Sequence, residues 1–295
     1  MTAITRILVA TDYSDGGRAA VGRAGQLASQ HHAELHILHA TPDWELFSQR
    51  TTPRQQHYEQ VTEHAQAVMN READWVHSAF HLRARAEVHR GKASQTILRA
   101  VESIQPDLLI MGSQGEHAPR FAPSALGGTT LKVISRAALP VLLVRQAKLS
   151  PYQVALAAVK DTDEQALRIV RSTSELVSEG CCHVLRAYEV PYLERLWTCR
   201  LDNSELAACD EDAKAYAMRS TQELAAGAIP GTDVQVHIKR GMPLPTILTE
   251  VTRYSPQFVG IGKHSHPRSE SFHTLLGCIG VRLAYHCPVD VLLVP

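Results

Sequence analysis

Glycines and hydroxyl-bearing residues cluster in one stretch of the sequence, from Met111 to Thr130, in a pattern that could hold phosphate. Glycine lets backbone N–H groups approach an anion closely, because no Cβ intervenes and positive φ is allowed. A helix that follows such a loop adds unpaired N–H groups, and threonines at its start add hydroxyl donors. The residues concerned are Gly112, Gly115, Gly127, Gly128, Thr129 and Thr130. The alternative is a flexible turn between a strand and a helix, which glycine favours without any ligand.

A single carboxylate, Asp12, ends the first apolar run of the chain. A carboxylate only accepts hydrogen bonds, so it suits the hydroxyl groups of a sugar. The alternative is a helix N-cap, a common position for aspartate. The sequence has neither the G-x-x-x-x-G-K-[ST] pattern of a P-loop nor a G-x-G-x-x-G after this first run, which excludes both of those phosphate motifs.

The elements around these positions alternate between short apolar runs and helical patterns. Runs such as ILVAT, LLIMG and VLLV are typical of buried strands. Five strands and four helices in each half predict a doubly wound parallel sheet with helices on both faces. Ligands bind such sheets outside the carboxyl ends of the strands. Asp12, Ala40 and Gly112 each end a predicted strand, so we expect them to meet at that edge.

The chain consists of one unit written twice. An offset of 150 places RGKASQTILRAV, from Arg90, on RGMPLPTILTEV, from Arg240, and it superposes the two VLLV runs; earlier in each half the offset is 147. A period of this length indicates duplicated domains rather than a solenoid. We predict a first domain over residues 1–147, which binds the ligand, and a second domain over residues 148–295, whose site is degenerate.

The second copy of the glycine stretch has lost several of these features. Ser265 stands in place of the second glycine, and Cys278 and Ile279 stand where hydroxyls are wanted. The offset of 147 places Asp12 on Val159, which cannot accept a hydrogen bond through its side chain. These changes predict that the second domain does not bind the ligand of the first. Lys263, beside this stretch, is interpreted as a solvated surface residue.

The runs quoted above, together with LGGTTLKVISRAALPVLLV, resemble the universal stress protein family, and the duplication resembles its tandem members. The resemblance covers nearly the whole chain. It implies two tandem doubly wound domains of the adenine-nucleotide alpha-hydrolase-like kind, each a five-stranded parallel sheet of order 3-2-1-4-5. It also implies a stress-response regulator that binds ATP or AMP, with Mg²⁺ accompanying ATP, and an internal domain pair made through the last strands.

The resemblance assigns roles to individual residues of the first domain. Asp12 would contact the ribose, and Ala40 would contact the adenine through its backbone. The phosphate loop would be lined by Met111, Gly112 and Gly115 and closed by Gly127, Gly128, Thr129 and Thr130. Eleven residues separate Gly115 from Gly127, whereas the family pattern has nine, so the hydroxyl has to come from Thr129 or Thr130.

Composition limits the partners. Thirty basic residues balance thirty acidic ones, so neither nucleic acid nor an anionic membrane is indicated. No apolar run approaches the roughly 18 residues of a membrane span, and no signal-peptide pattern opens the sequence, so we expect a cytoplasmic protein. The six cysteines, all in the second half, contain no C-x-x-C pair and are expected to be free thiols. Protein partners and a possible homodimer are left open.

Two further readings remain. His264, His266 and His273 lie in the second glycine stretch and are weak metal candidates, because imidazole suits zinc but their spacing matches no zinc motif. No catalytic residue is assigned, and we expect at most slow ATP hydrolysis. The alternatives to a nucleotide-binding regulator are a nucleotide-independent interaction scaffold and a weak ATPase with a metal site in the second domain.

Overall fold

A computed structural model describes residues 4–42, 54–114, 126–145, 147–177, 179–189, 203–263 and 279–295. By their contacts, the residues form two compact units. The first contains the described residues between 4 and 151 and residues 284–293, and the second contains the described residues between 152 and 283 and residues 294–295. The units are described one at a time below.

The first unit alternates strand and helix as the sequence predicts. Its strands are β1 (Arg6–Thr11), β2 (Glu34–Thr41), β3 (Ala84–Arg90), β4 (Leu108–Gly112) and β5 (Val141–Val144). Its helices are α1 (Asp15–His31), α2 (Arg54–Phe80), α3 (Ala93–Ile104) and α4 (Gly128–Ile134). The five strands are parallel and lie in the order β3-β2-β1-β4-β5, which confirms the predicted order for this copy.

Sequence chemistry accounts for the bounds of the elements that reach the edge of this sheet. In β1, residues 7–11 are all buried, as expected for a central strand covered on both faces. Helix α1 begins after Ser14, whose side chain accepts a hydrogen bond from the N–H of Gly17. It ends at His32 in the left-handed conformation, a common way to satisfy the last carbonyls. Helix α1 is therefore capped at both of its ends.

The second unit repeats the pattern. Its strands β6 (Val154–Val159), β7 (Cys181–Tyr188), β8 (Asp233–Arg240) and β9 (Phe258–Gly262) are parallel and lie in the order β8-β7-β6-β9, the order of the first four strands of the first copy. Its helices are α5 (Glu164–Glu175), α6 (Asn203–Ala225) and α7 (Pro243–Tyr254). Helix α8 (Ile279–His286) and strand β10 (Asp290–Val294) follow.

Most of β10 packs within the first unit. It pairs antiparallel with β5, with Val291 opposite Leu143 and Leu293 opposite Val141. Its first residue, Asp290, is completely buried and accepts a hydrogen bond of 2.7 Å from the backbone N–H of Arg145. The guanidinium of Arg23, on α1, lies 3.9 Å from the same carboxylate. A buried charge pair therefore anchors this strand beside β5. Within the described part of the chain, no helix is long and apolar enough to cross a membrane.

Candidate functional site

A cavity of about 570 Å³ lies at the carboxyl ends of β1, β2 and β4 in the first unit. It falls within the usual range of small-molecule sites, roughly 300–1,000 Å³. Eight of the nine residues predicted for the site line it: Asp12, Ala40, Met111, Gly112, Gly127, Gly128, Thr129 and Thr130. The ninth, Gly115, lies outside the described residues. These eight come from three separate parts of the sequence, which the fold brings to one cavity.

The carboxylate of Asp12 is held in place by the start of α1. One oxygen, Oδ1, accepts hydrogen bonds from the backbone N–H of Ser14, at 3.2 Å, and from its hydroxyl. The same hydroxyl accepts a hydrogen bond from the N–H of Gly17. A Cβ at Gly17 would lie 2.8 Å from Asp12 Oδ1, so only glycine fits beside the carboxylate. The N-cap role that the sequence offered as an alternative for Asp12 belongs to Ser14 instead.

One wall of the cavity, formed by Tyr13 and His39, was not predicted from the sequence. The two rings lie 4.1 Å apart between centroids, and both residues line the cavity. Tyr13 has a φ of 65°, a left-handed conformation that a residue with a bulky side chain adopts only when its surroundings hold it. Its hydroxyl donates to the carbonyl of Ala65 on α2, at 3.1 Å. Burial, together with the nearby Glu72, raises the pKa of Tyr13 to about 12, so its hydroxyl keeps its proton.

The imidazole of His39 is neutral at pH 7. Burial lowers its pKa below the ordinary value, although a hydrogen bond to Thr11 and the charge of Asp12 act in the opposite direction. Its Nδ1 lies 2.8 Å from the carbonyl oxygen of Thr11. Because a carbonyl only accepts, Nδ1 carries the proton and Nε2 is the acceptor. The cavity therefore offers a ligand one carboxylate and one uncharged imidazole from β1 and β2.

Close backbone packing forms the glycine end of the cavity. A Cβ at Gly112 would lie 2.9 Å from the carbonyl carbon of Gly16, so β4 and the β1–α1 turn approach each other as only glycine permits. The N–H of Gly127 donates to the carbonyl of Ser113, and the hydroxyl of Thr130 donates to that of Gly112, at 3.3 Å. Thr130 is buried, whereas Thr129 is half-exposed. Of the two threonines, Thr129 is thus better placed to offer its hydroxyl to a ligand.

A second cavity, of about 500 Å³, lies at the equivalent edge of the second unit. Four apolar residues of its lining correspond to apolar residues of the first cavity. Leu185 and Ala187 on β7 correspond to Leu38 and Ala40 on β2, and Ile247 and Ile261 correspond to Ile97 and Met111. The polar residues differ at the positions equivalent to Asp12 and Gly16.

The strand register corrects one of the predicted correspondences. Ile7 pairs with Leu108 in the first unit, and Ala155 pairs with Phe258 in the second, while Leu108 and Phe258 are equivalent. Ile7 therefore matches Ala155, and the residue that matches Asp12 is Lys160. The prediction of Val159 was wrong by one position, because the offset between copies in this strand is 148 rather than 147. A cation stands where the first copy has a carboxylate.

A second difference between the copies lies at the start of α5. Asp163 N-caps α5 by accepting from the N–H of Ala166, at 2.8 Å, as Ser14 does for Gly17 in α1. The residue that matches Gly16 is then Gln165. Its side-chain amide would lie 3.2–3.3 Å from a Cβ at Gly262, on the side of the strand where Gly16 packs in the first copy. The position of Gly16, which has no side chain, is thus occupied in the second unit by the side-chain amide of Gln165.

The remaining candidates from the second glycine stretch are three histidines and Lys263. His264, His266 and His273 lie outside the described residues. In the described ranges, no group of three or more histidine, cysteine or acidic residues could hold a metal ion. Lys263, expected to be a solvated surface residue, is only 1% exposed, and its backbone N–H donates to the carbonyl of Val294, at 2.7 Å. Burial lowers the pKa of its ammonium group to about 8. The prediction that Lys263 is a solvated surface residue was therefore wrong.

The architecture and the cavities define a class: a doubly wound α/β protein with small-molecule cavities at the carboxyl ends of its parallel strands. A model of the universal stress protein family matches residues 3–145. A curated relative from Thermus aquaticus, described as a universal stress protein in a QAH/OAS sulfhydrylase 3' region, is 31% identical over 145 residues, which are 47% of this chain and 97% of the relative. The chain belongs to the universal stress protein family.

Solved structures extend the likeness of the fold to both halves. A universal stress protein from Archaeoglobus fulgidus is similar over 100% of this chain and 99% of its own, with a TM-score of 0.74 and 19% identity. A functionally unknown protein from Pseudomonas aeruginosa is similar over 99% of this chain and 92% of its own, with a TM-score of 0.65 and 18% identity. At such identities the likeness concerns the fold, and the predicted tandem arrangement is consistent with it.

Proposed function

We propose that the first unit binds an adenine nucleotide, ATP or AMP, and that the protein acts as a stress-response regulator through this binding. The observation that supports the proposal is the convergence of eight separately predicted residues on one cavity. The glycines and Thr129 lie at one end of it, Ala40 with its apolar neighbours at another, and Asp12 near the β1–α1 turn. This division suits a ligand with a flat ring, a sugar and a phosphate.

Each end of the cavity would recognise one part of the nucleotide. The backbone around Gly112 and Gly127 and the hydroxyl of Thr129 would contact phosphate, since donors suit an anion. The ring would lie near Ala40, with Leu38, Ile97 and Met111 as apolar surface. Asp12 would accept hydrogen bonds from the ribose hydroxyls. Any Mg²⁺ would arrive on the phosphates of ATP, a common way for proteins to hold this ion.

Isothermal titration with ATP and with AMP tests the proposal. Replacing Asp12 with Asn removes a charged acceptor and adds donors, so we expect a loss of about tenfold or more in affinity, in line with a lost charge-assisted hydrogen bond. Asp15→Asn is the matched control, because Asp15 is exposed and does not line the cavity. No binding by the wild type would refute the proposal and favour the nucleotide-independent scaffold. Equal affinities for the two variants would remove Asp12 from the site.

We also propose that the last strand acts as an internal pairing partner. Strand β10 forms an antiparallel pair with β5 and so covers that edge. An edge strand covered in this way is no longer available to a second chain. The protein should therefore be a monomer in sedimentation equilibrium at micromolar concentration. A stable dimer would show that the chain associates through another surface.

A further inference from the structure

We propose that the cavity of the second unit binds a flat aromatic carboxylate rather than a nucleotide. The inference concerns a site separate from the nucleotide cavity, and it stands or fails independently of the proposed function. It rests on three features of the described residues: a retained apolar lining, a reversed charge and a filled phosphate end.

The apolar lining provides the affinity for a ring. Leu185, Ile247 and Ile261 are buried residues at this edge, and Ala187 keeps the small side chain that leaves room above the strand. Their counterparts around Ala40 line the first cavity at the same place. A planar ring that contacts such a surface is bound mainly by the removal of apolar area from water. The second cavity therefore keeps the part that suits a ring.

The phosphate end is no longer suited to a phosphate chain. Gln165 fills the side of Gly262 where the first copy has only Gly16. Ile279 and Gly280 take the places of Thr129 and Thr130, so both hydroxyls are lost. With an isoleucine and a primary amide in place of glycine backbone and two hydroxyls, these positions offer few hydrogen-bond donors to a group with several negative charges.

The charges around the cavity select one negative charge. The three acidic residues of the lining are already engaged. Asp161 lies 3.6 Å from Arg186, Glu164 lies 3.3 Å from Arg168, and Asp163 caps α5. Lys160 lines the same cavity and has no ion pair or hydrogen bond with any other residue that the structure describes. Lys160 is therefore the one charged side chain of this lining that has neither an ion pair nor a capping hydrogen bond among the described residues, and it stands where the first copy has Asp12.

A ligand that satisfies these features has a flat apolar ring for Leu185, Ala187 and Ile247 and one carboxylate for Lys160. The amide of Gln165 can donate to and accept from polar atoms on the ring. A nucleoside triphosphate would bring several negative charges next to Asp161, Asp163 and Glu164, and Ile279 and Gly280 offer it no side-chain hydroxyl where the first copy has Thr129 and Thr130.

Saturation-transfer NMR with two probes, 1-naphthoate and the uncharged 1-naphthamide, tests the proposal on the full chain. Ala187→Phe fills the ring position of the second cavity, and Ala40→Phe fills the equivalent position of the first. We expect naphthoate to bind the wild type and Ala40→Phe, and to lose binding in Ala187→Phe. Lys160→Met should weaken naphthoate by about fivefold, the effect of one partly exposed ion pair, and leave naphthamide unchanged.

The outcomes against the proposal are equally specific. No naphthoate binding to the wild type at millimolar concentration would overturn it, as would binding that survives Ala187→Phe. Equal weakening of both probes by Lys160→Met would show that the lysine does not contact the carboxylate. Circular dichroism checks that Ala187→Phe is folded. Were it unfolded, the two probes on Lys160→Met, which changes only an exposed side chain, would decide.

Discussion

Removal of the buried carboxylate of Asp290 should destabilise the first unit strongly. Asp290 is 0% exposed and the side chain of Arg23 is 2% exposed, with 3.9 Å between Arg23 Nε and Asp290 Oδ2. Asp290→Ala leaves a buried guanidinium without its counter-charge and the N–H of Arg145 without its acceptor. Breaking a buried pair from one side costs about 3–5 kcal/mol, and an orphaned backbone N–H about 1–3 kcal/mol.

The contacts that remain place the expected loss at the lower end of that sum. Arg23 still donates to the carbonyls of Lys148 and Ser150, at 2.6 and 2.7 Å, and to the side chain of Gln26, at 2.8 Å. We therefore expect Asp290→Ala to lower the free energy of unfolding by about 4 kcal/mol. Asp290→Asn keeps an acceptor for the N–H of Arg145 and should cost less, which separates charge from hydrogen bonding.

Urea unfolding followed by circular dichroism measures these losses, and hydrogen exchange on peptides of β5 and β10 locates them. The double variant Arg23→Met, Asp290→Leu should be more stable than Asp290→Ala, because no charge is then left buried alone. Arg168→Ala is the control. It breaks an exposed pair with Glu164 and should change stability by less than about 1 kcal/mol. A loss below about 1 kcal/mol for Asp290→Ala, or unchanged exchange in β10, would refute the reasoning.

Three further predictions follow from local geometry. Burial lowers the pKa of Lys263 from 10.5 to about 8, so between these values the unfolded chain holds a proton that the folded chain lacks, and stability gains with rising pH. Between pH 7 and pH 10.5, the free energy of unfolding of the wild type should rise by about 3 kcal/mol relative to that of Lys263→Met, as measured by urea titration. Gly112→Ala should lower the melting temperature, because the added Cβ would meet the backbone of Gly16. A Cβ added at Gly128 would have no atom within 4 Å, so Gly128→Ala should leave the melting temperature unchanged and weaken only ATP binding, as measured by calorimetry. Tyr13→Phe loses the hydrogen bond to the carbonyl of Ala65 and should cost about 1 kcal/mol, with faster hydrogen exchange in α2.

The fold was predictable because its two signals are redundant. Strands such as β1 and β4 are short and mainly apolar, and the duplication shows the same alternation twice. The candidate site was predictable for a related reason. Parallel strands bring their carboxyl ends to one edge, so Asp12, Ala40 and Gly112 had to lie near one another once the strands were assigned. The pairing of β10 with β5 was expected only from the resemblance, because its anchor is a tertiary contact between Asp290 and Arg23 that the strand pattern does not show.

Other features depend on conformation that the sequence does not display. Tyr13 adopts a left-handed φ that its residue type disfavours, so no local preference predicts that its ring lies against His39. Lys263 follows a strand in a stretch of polar residues, which favours exposure. The fold nevertheless places it inside, where its N–H bonds to Val294 as that of Ser113 bonds to Val144 in the first copy. Ser113, which occupies the equivalent position in the first copy, is buried in the same way.

The comparison between the two copies depends on the offset of each element, because the offset changes along the chain. Strand β6 matches β1 at an offset of 148, and the N-cap of α5 matches that of α1 at 149, so one residue has been added between Lys160 and Asp163. The offset of 147 belongs to β2 and β7, and when it is applied to β1 it assigns valine to the position of Asp12. In the register of the strands, the second cavity has a lysine in place of the carboxylate of Asp12, and a glutamine stands in place of Gly16. Because the residues around Ala40 and Ala187 are apolar in both cavities, the differences at Asp12/Lys160 and Thr129/Ile279 are the ones expected to decide what each cavity binds.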